Sequence, residues 1–390
     1  MNAKVLYPEL KTPVVLVDLD MMEANIKEMS DLCKAAGVKL RAHVKVTMCA
    51  DVIKMQMAAG AYAVELGTIY GAEALAEAGI NDILVTHPTP YIGDKAETLK
   101  KLLKKRGMKT HIVLDMVEQA KTVSQIGQEL GKKVSVILKI DVNAVINGFS
   151  RFGVLPDAAL PIAKEFNTLP GIDFKGIYAH EMPLNTTEEG REKCALDCCT
   201  IMVDLAKKFK AAGIPVEHLS VGGSPTIRPI SKFMKEGKFR EITEVHPGNF
   251  VIGDISYMHE GGNTRERCAG TVLVTVTSTS HPEKAIIDAG FKTFGDSYLI
   301  GAAKEPDYWW QGWPTFGEAQ GRPDLRCAFL SAEVGSIYYM DPNKKLEMGE
   351  RIEIVPNNIT LVIAMHEQIY GVRKGKAEKV FKVTGHGRGI

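Results

Sequence analysis

The sequence has almost no imbalance of charge: 48 basic residues stand against 47 acidic ones, a formal net charge of +1 over 390 residues. A chain so nearly neutral offers no electrostatic footprint for nucleic acid or an anionic membrane, so a small molecule is the expected partner. It lacks any run of about 18 uninterrupted apolar residues, the length a membrane-spanning helix needs. Its first residues, Met-Asn-Ala-Lys-Val-Leu-Tyr-Pro, hold no apolar core of signal-peptide length. A soluble, cytoplasmic protein is the expectation. Metal-type cysteine spacing is missing as well. The seven cysteines (33, 49, 194, 198, 199, 268 and 327) are odd in number, and the adjacent Cys198 and Cys199 diverge on a helical pattern, so reduced thiols are expected. No Gly-x-Gly-x-x-Gly follows the first strand, which argues against an open dinucleotide-binding sheet.

What is present is a regular alternation of strand and helix patterns. The stretch Val38–Ala50, read as a strand, sends Leu40, Ala42, Val44 and Val46 to one side and Arg41, His43, Lys45 and Thr47 to the other. Further strands are expected at Tyr62–Leu66, Asp82–His87, Lys109–Asp115, Lys133–Asp141, Asp173–His180, Leu219–Gly222 and Glu241–His246, with helical patterns between them that end at glycines such as Gly79, Gly131 and Gly213. Eight strands alternating with helices over roughly 200–250 residues spell a (β/α)8 TIM barrel, whose chemistry collects at the strands' C-terminal ends. Those ends carry Lys45 and Thr47, Glu65, His87, Asp115, Asp141, His180, Gly222-Gly223-Ser224 and His246. After about Ser256 the texture turns to β-branched and alternating runs, at Gly270–Ser280, Ala285–Phe294, Cys327–Met340, Arg351–His366 and Lys376–Val383. The expected division is a barrel over 18–255 and an all-β domain made of 1–17 and 256–390. The long aromatic stretch Asp296–Arg326, with Trp309, Trp310 and Trp313, reads as a lid or an interface.

A lysine at a barrel rim can be a salt-bridge partner, a phosphate contact or a Schiff-base nucleophile. Lys45 points to the same side as His43 and Arg41, and neighbouring cations lower a lysine's pKa toward its reactive form. The loop Ser220-Val-Gly-Gly-Ser-Pro-Thr226 suits a phosphate, because its glycines let backbone N–H groups approach and a helix N-terminus follows. The turn Pro247-Gly248-Asn249 follows the last strand, where barrels frequently bind phosphate. An aldehyde cofactor with a phosphate tail fits both.

Taken in order, Arg41-x-His43-x-Lys45, Asp141 with Gly148-x-x-Arg151-x-Gly153-Val, the Gly-Gly-Ser-Pro-Thr loop, Glu244-x-His246-Pro-Gly-Asn-Phe250 and Asp288-Ala-Gly290 resemble the D-threonine aldolase/D-serine dehydratase-like family. The resemblance runs from Thr12 to Arg388. It implies the alanine racemase-like fold (PLP fold type III) and the cofactor pyridoxal 5'-phosphate, bound as a Schiff base to Lys45 with His43 close to its ring. It implies that Gly222, Gly223, Ser224, Thr226, Gly248 and Asn249 hold the phosphate, that Arg151 or His246 approaches the pyridine side, and that the protein is a homodimer. Metal-dependent members carry Pro-Asn-His-x-Cys or Pro-Asn-His-x-Asp, where this chain has Pro356-Asn357-Asn358-Ile359-Thr360. Asn and Thr are poor ligands for zinc or manganese, so no metal site is expected. Ser-Glu-Glu-His-Gly becomes Ser331-Ala-Glu333-Val334-Gly335, and the family's usual tyrosine is His180.

The resulting expectation is a pyridoxal phosphate-dependent lyase, an aldolase or dehydratase acting on a β-hydroxy D-amino acid without a metal, with Lys45 and His180 catalytic. Imidazole titrates near neutrality and suits an acid or base at the β-oxygen. A racemase using Lys45 and His180 on opposite faces is the alternative, and a non-catalytic cofactor-binding protein ranks last.

Overall fold

The computed structural model describes residues 4–295 and 309–388. The chain falls into two compact units, Lys27–Gly248 with Gly387–Ile390, and Met1–Ile26 with Asn249–His386. Nineteen strands lie among the described residues, numbered in chain order from β1 (Val14–Asp18).

The first unit is the expected closed barrel: β2 (Lys39–His43), β3 (Ala63–Leu66), β4 (Asp82–Val85), β5 (Lys109–Leu114), β6 (Val134–Ile140), β7 (Ile172–Ala179), β8 (His218–Val221) and β9 (Glu244–Val245). Neighbouring strands are parallel all the way round, and the circle closes through Lys39↔Glu244 and Leu40↔Val245. Such strands have the barrel interior on one side and helices on the other, so they read as near-continuous apolar runs. Helix starts and stops follow local chemistry. Thr68 accepts from Gly71 N at the start of Ile69–Glu77, and Thr187 accepts from Gly190 N at the start of Glu188–Ala211. Gly79 and Gly213, at φ +90° and +72°, turn the chain out of those helices.

Inside the barrel, Leu84, Val113, Ile137 and Tyr178 meet from four strands in one fully buried cluster. Toward the strands' N-terminal ends lies an ionic layer. Arg41, fully buried, donates from Nε and Nη2 to the two Glu244 oxygens at 3.1 and 3.2 Å and from Nη1 to Asp82 at 3.3 Å. His218 Nδ1 lies 3.1 Å from Glu244, and the Tyr62 hydroxyl donates to the same carboxylate. Burial works against the Glu244 charge, but Arg41 and His218 outweigh it and hold the carboxyl well below its usual range.

The opening stretch departs from the expectation at its end. β2 stops at His43, and Val44–Val46 is a single 3₁₀ turn, so Lys45 is not the next member of an alternating row. Val44 and Val46 are buried in that turn and Lys45 is exposed.

The second unit is a sheet in the order β15 (Leu325–Leu330), β16 (Gly335–Tyr339), β11 (Lys284–Ile287), β10 (Gly270–His281), β1, β18 (Gln368–Arg373) and β19 (Lys376–Lys382), with β17 (Arg351–Pro356) pairing both β10 and β14 (Gly317–Ala319). β1 runs antiparallel to β10 and parallel to β18 (Gln368–Arg373), and β19 (Lys376–Lys382) ends the sheet. Three expected strands are interrupted. Ala285–Phe294 is β11 (Lys284–Ile287) followed by a helical turn at Phe291–Phe294, and Cys327–Met340 is a hairpin of β15 (Leu325–Leu330) and β16 (Gly335–Tyr339), whose turn is closed by Ser331 N donating to Val334 O. Arg351–His366 is β17 and then a helix, Ile359–Ala364. Asn358 caps that helix by accepting from Leu361 N, and Ile359, Val362 and Ile363 are buried at the helical spacing of three and four. β18 lies outside the expected strands, because Gly371 breaks its apolar pattern; a Cβ there would meet Leu19 at 2.6 Å and Phe381 at 2.8 Å. Of the aromatic stretch 296–326, residues 296–308 lie outside the described residues. The remainder starts with a short hairpin of β12 (Trp309–Trp310) and β13 (Trp313–Pro314). Among the described residues no helix is long and apolar enough to cross a membrane. All seven cysteines are free thiols, and burial pushes Cys33, Cys49 and Cys327 up to about 12, far from thiolate reactivity.

Candidate active site

The C-terminal ends of the barrel strands gather Lys45, His43, His180, His246, Arg151, Gly222, Gly223, Ser224, Thr226 and Gly248 in one unit. Asn249 begins the other unit, where its amide donates to Asp254 at 3.1 Å.

His43 closes β2 and is nine-tenths buried. Its Nε2 lies 4.0 Å from Glu65 Oε1, and its Nδ1 has no hydrogen-bond partner among the described residues. Burial, and then the positive charge of Lys45, hold it well below its ordinary pKa, so it is a neutral imidazole. Arg41 is committed to Glu244 in the ionic layer. The expected row of cations activating Lys45 is therefore absent: one member is neutral and the other is neutralised.

Two residues dominate the site's floor: Glu65, which the sequence reading named at a strand end without giving it a role, and Lys139, which it left out. Glu65, fully buried on β3, accepts from the Tyr178 hydroxyl at 2.9 Å, while its Oε2 has no partner among the described residues. Burial pushes its carboxyl up to about 8, against the pull of Arg41 and the Tyr178 hydrogen bond. Lys139, buried near the end of β6, holds its ammonium 4.2 Å from the centre of the Tyr178 ring and 4.9 Å from that of Phe152. Burial brings it down to about 7, with Arg151 adding and Glu65 opposing. A lone lysine in Val-Ser-Val-Ile-Leu-Lys-Ile and a lone glutamate in Ala-Val-Glu-Leu are the signals that could have found them: a charge in a strand buried on both faces points into the barrel.

His180 follows β7 and His246 follows β9. Their rings are tilted by only 28° with centroids 5.4 Å apart and meet edge to edge, His180 Nδ1 lying 3.2 Å from His246 Nε2. On the far side His246 Nδ1 lies 3.0 Å from Ser220 Oγ, and the Tyr178 ring stacks on His246 at 4.4 Å. Burial lowers His246 to about 3, and burial together with His246, Lys139 and Lys45 holds His180 well below its usual value. Both ring nitrogens of His246 are thus engaged with protein.

The glycine loop already holds an anion of the protein's own. The Glu181 carboxylate, 1% exposed, accepts from Gly222 N and Gly223 N at 3.3 Å each, from Thr226 Oγ1 at 2.5 Å and from Cys198 Sγ at 3.4 Å. Gly248 N donates to Ser224 Oγ at 2.9 Å, tying the two expected phosphate loops together. Both loops need their glycines for close approach. A Cβ at Gly248 would meet the His43 carbonyl at 2.6 Å, and one at Gly223 would meet His180 Cε1 at 3.1 Å. Arg151 is held by its backbone N–H donating to Asp141 at 3.0 Å, while its guanidinium Nη1 lies 3.0 Å from Met182 Sδ.

Among the described residues no group of three or more His, Cys, Asp or Glu side chains is gathered as a metal would require. Asn358, where the resemblance sets a metal-binding histidine, serves as a helix cap by accepting from Leu361 N.

Comparison with known proteins agrees with this architecture. The chain is 28% identical to a 3-hydroxy-D-aspartate aldolase of Paracoccus denitrificans (strain Pd 1222), over 98% of this chain and 93% of the relative. It is 29% identical to a D-threo-3-hydroxyaspartate dehydratase of Delftia sp. (strain HT23), over 90% of each chain. The crystal structure of a D-threonine aldolase from Filomicrobium marinum superimposes with a TM-score of 0.83 at 22% identity, covering both chains fully, which speaks for the fold. Residues 269–372 match the domain model named for D-serine dehydratase, and residues 17–255 match the alanine racemase N-terminal domain. With the latter spanning more than half its length, the chain belongs to the alanine racemase N-terminal-domain family.

Proposed function

We propose that this protein is a pyridoxal phosphate-dependent lyase that cleaves or dehydrates a β-hydroxy D-amino acid, holding the cofactor on Lys45 and using His180 at the substrate's β-oxygen in place of a metal. The observation that carries the reading is the meeting of an exposed lysine with buried, neutral imidazoles at the C-terminal rim of a parallel barrel. The residues present fit the cofactor. His43 Nδ1, Thr47 Oγ1 and Glu65 Oε2 are buried polar atoms without partners among the described residues, as a site prepared for a polar ring leaves them, and Gly222, Gly223 and Gly248 let the two loops approach their neighbours where a Cβ would crowd them. When bound, pyridoxal phosphate supplies an electron sink for the carbanion formed at Cα.

The chain supplies the rest. Lys45 is the amine that would hold the aldehyde, and Ser224 and Gly248 are the groups for the phosphate, while the Thr226 hydroxyl is given to Glu181. Gly222 and Gly223 serve that end by shape, since their N–H groups are directed at Glu181. By the resemblance His43 and Arg151 are the residues that would hold the ring and its substituents, and His246 backs His180. A neutral His180 can take the proton of a β-hydroxyl in aldol cleavage; once charged, it can return one to a departing hydroxyl. The metal-free part of the reading rests on residue chemistry: an amide and a hydroxyl stand at 358 and 360, and Asn358 is occupied as a cap. By likeness to this fold we propose a homodimer, which light scattering after gel filtration decides.

The test is to incubate the chelated holoenzyme with D- and L-amino acids in heavy water. Glycine plus an aldehyde identifies an aldolase, and a keto acid plus ammonia a dehydratase. Deuterium at Cα with loss of optical purity and no cleavage means a racemase and overturns the lyase reading. Activity that is lost on chelation and returns with manganese or zinc overturns its metal-free part.

A further inference from the structure

Three side chains on three adjacent strands stand in a line within the barrel. Ser220 lies on β8, His246 follows β9 and His180 follows β7. Ser220 and His246 are at most 1% exposed, and each link has hydrogen-bond length: 3.0 Å from Ser220 Oγ to His246 Nδ1 and 3.2 Å from His246 Nε2 to His180 Nδ1. The groups that act on the pair are Lys139, Lys45, His43, Glu244 and Arg41, with the Tyr178 ring stacked on His246. Among the described residues no carboxylate bonds to either imidazole, so nothing there pins a proton on one of them.

An N···N hydrogen bond between two neutral imidazoles contains one proton, and its direction fixes both tautomers. If His180 Nδ1–H donates to His246 Nε2, then His246 Nδ1–H donates to Ser220 and His180 Nε2 is a bare base. If Ser220 donates to His246 Nδ1, the order reverses and His180 presents Nε2–H. A serine hydroxyl can both donate and accept, so the chain runs either way.

We propose that Ser220, His246 and His180 form one proton-sharing chain in which His180 is the end that meets the substrate and Ser220 sets, through His246, which tautomer His180 presents to it. The balance is simple. A substrate proton adds to His180 Nε2, the His180 Nδ1 proton moves to His246 Nε2, and the charge passes through His246 only in transit, with its Nδ1–H held by Ser220, because burial disfavours a lasting charge there. His180 is left neutral with its proton on Nε2, and reversing the steps returns the proton. This rests on the assignment of His180 to the substrate made above, yet the chain itself can be observed without substrate or cofactor.

The test is long-range ¹⁵N–¹H correlation NMR of the cofactor-free protein labelled at histidine, comparing wild type with Ser220→Ala and Ser220→Thr. In Ser220→Ala a proton on His246 Nδ1 would be a buried donor with no acceptor, a costly arrangement. The variant is therefore expected to lock the chain in one direction, so that His180 Nε2, which never touches Ser220, becomes fully protonated. Ser220→Thr keeps the hydroxyl and restores the wild-type pattern. In the loaded enzyme Ser220→Ala is expected to turn over about 100-fold more slowly, the lower end of what a positioned proton-transfer group contributes, and Ser220→Thr to recover. Unchanged His180 nitrogens in Ser220→Ala overturn the chain even if the lyase activity is real. A shifted pattern in a protein that cleaves nothing leaves the chain standing and removes the lyase reading.

Discussion

Replacing Arg41 by methionine tests whether the barrel depends on the ionic layer. The guanidinium is fully buried and makes two bonds to Glu244 and one to Asp82. Methionine fills much of the space but leaves the Glu244 carboxylate, 1% exposed, with only His218 and Tyr62. Stripping one partner from a buried ion pair costs about 3–5 kcal/mol. For a unit of this size each kcal/mol moves the melting point by about 2–4 °C, so the barrel transition is expected to fall by roughly 6–20 °C in scanning calorimetry. The control is Lys27→Ala, which removes a bridge to Asp31 whose side chains are 76% and 60% exposed; such a pair is worth about 0–1 kcal/mol. The sign with pH follows. In the wild type the Glu244 carboxyl is held below its unfolded value, so its contribution is complete above that value and is lost only as pH falls through the folded one. Without Arg41 the carboxyl rises, and folding then favours the protonated form. The deficit should accordingly be larger at pH 8 than at pH 5. A shift no greater than that of Lys27→Ala, or a deficit that grows on acidification, would refute this account. Arg41→Met combined with Glu244→Leu should recover part of the loss, since the stranded charge is gone.

Borohydride reduction after loading with pyridoxal phosphate should fix the cofactor to Lys45 alone, and Lys45→Ala should show no covalent adduct by peptide mass spectrometry; an adduct that persists elsewhere removes the Lys45 assignment. Gly223→Ala should press on His180, where the new Cβ meets Cε1 at 3.1 Å, and lower turnover about tenfold or more with the fold intact by circular dichroism. Glu65 has a carboxyl raised from 4.5 to about 8, so the folded state binds the extra proton and stability falls as pH rises between those values. Lys139, lowered from 10.5 to about 7, gives the opposite slope from pH 7 to 10.5, where the unfolded state binds more protons. Urea midpoints against pH should lose the first slope in Glu65→Gln and the second in Lys139→Met; unchanged slopes would mean that neither group titrates as its burial implies.

The barrel is legible in the sequence because eight apolar runs each end in a polar residue at a regular spacing, a pattern that few architectures besides a closed parallel barrel produce. The partners are not. Nothing in the order of residues says that Glu181 turns back into the glycine loop, or that His246 spends both nitrogens on Ser220 and His180, because these contacts join positions 26 to 66 residues apart. Lys45 stands out as a strand-end lysine, yet its setting does not, since a strand that stops at His43 cannot be told from one that continues through Val46 when both following valines are β-branched and apolar. In the sheet unit the helix Ile359–Ala364 carries its own signal, Asn358 as a cap with buried positions at helical spacing, but β-branched composition masks it.

The barrel's seam has a consequence for time as well as for stability. β2 and β9 share only the pairs Lys39↔Glu244 and Leu40↔Val245, and the Arg41–Glu244 bridge joins residues 203 positions apart. A contact of that sequence separation closes a loop around nearly the whole barrel and cannot form until most of the intervening strands are in place. Stabilisation acquired after the transition state is read in the rate of opening rather than in the rate of folding. The bridge thus acts as a latch: removing it should leave refolding nearly as fast as before while the barrel springs open sooner, parting His43 from His246 at the seam where the two halves of the site meet.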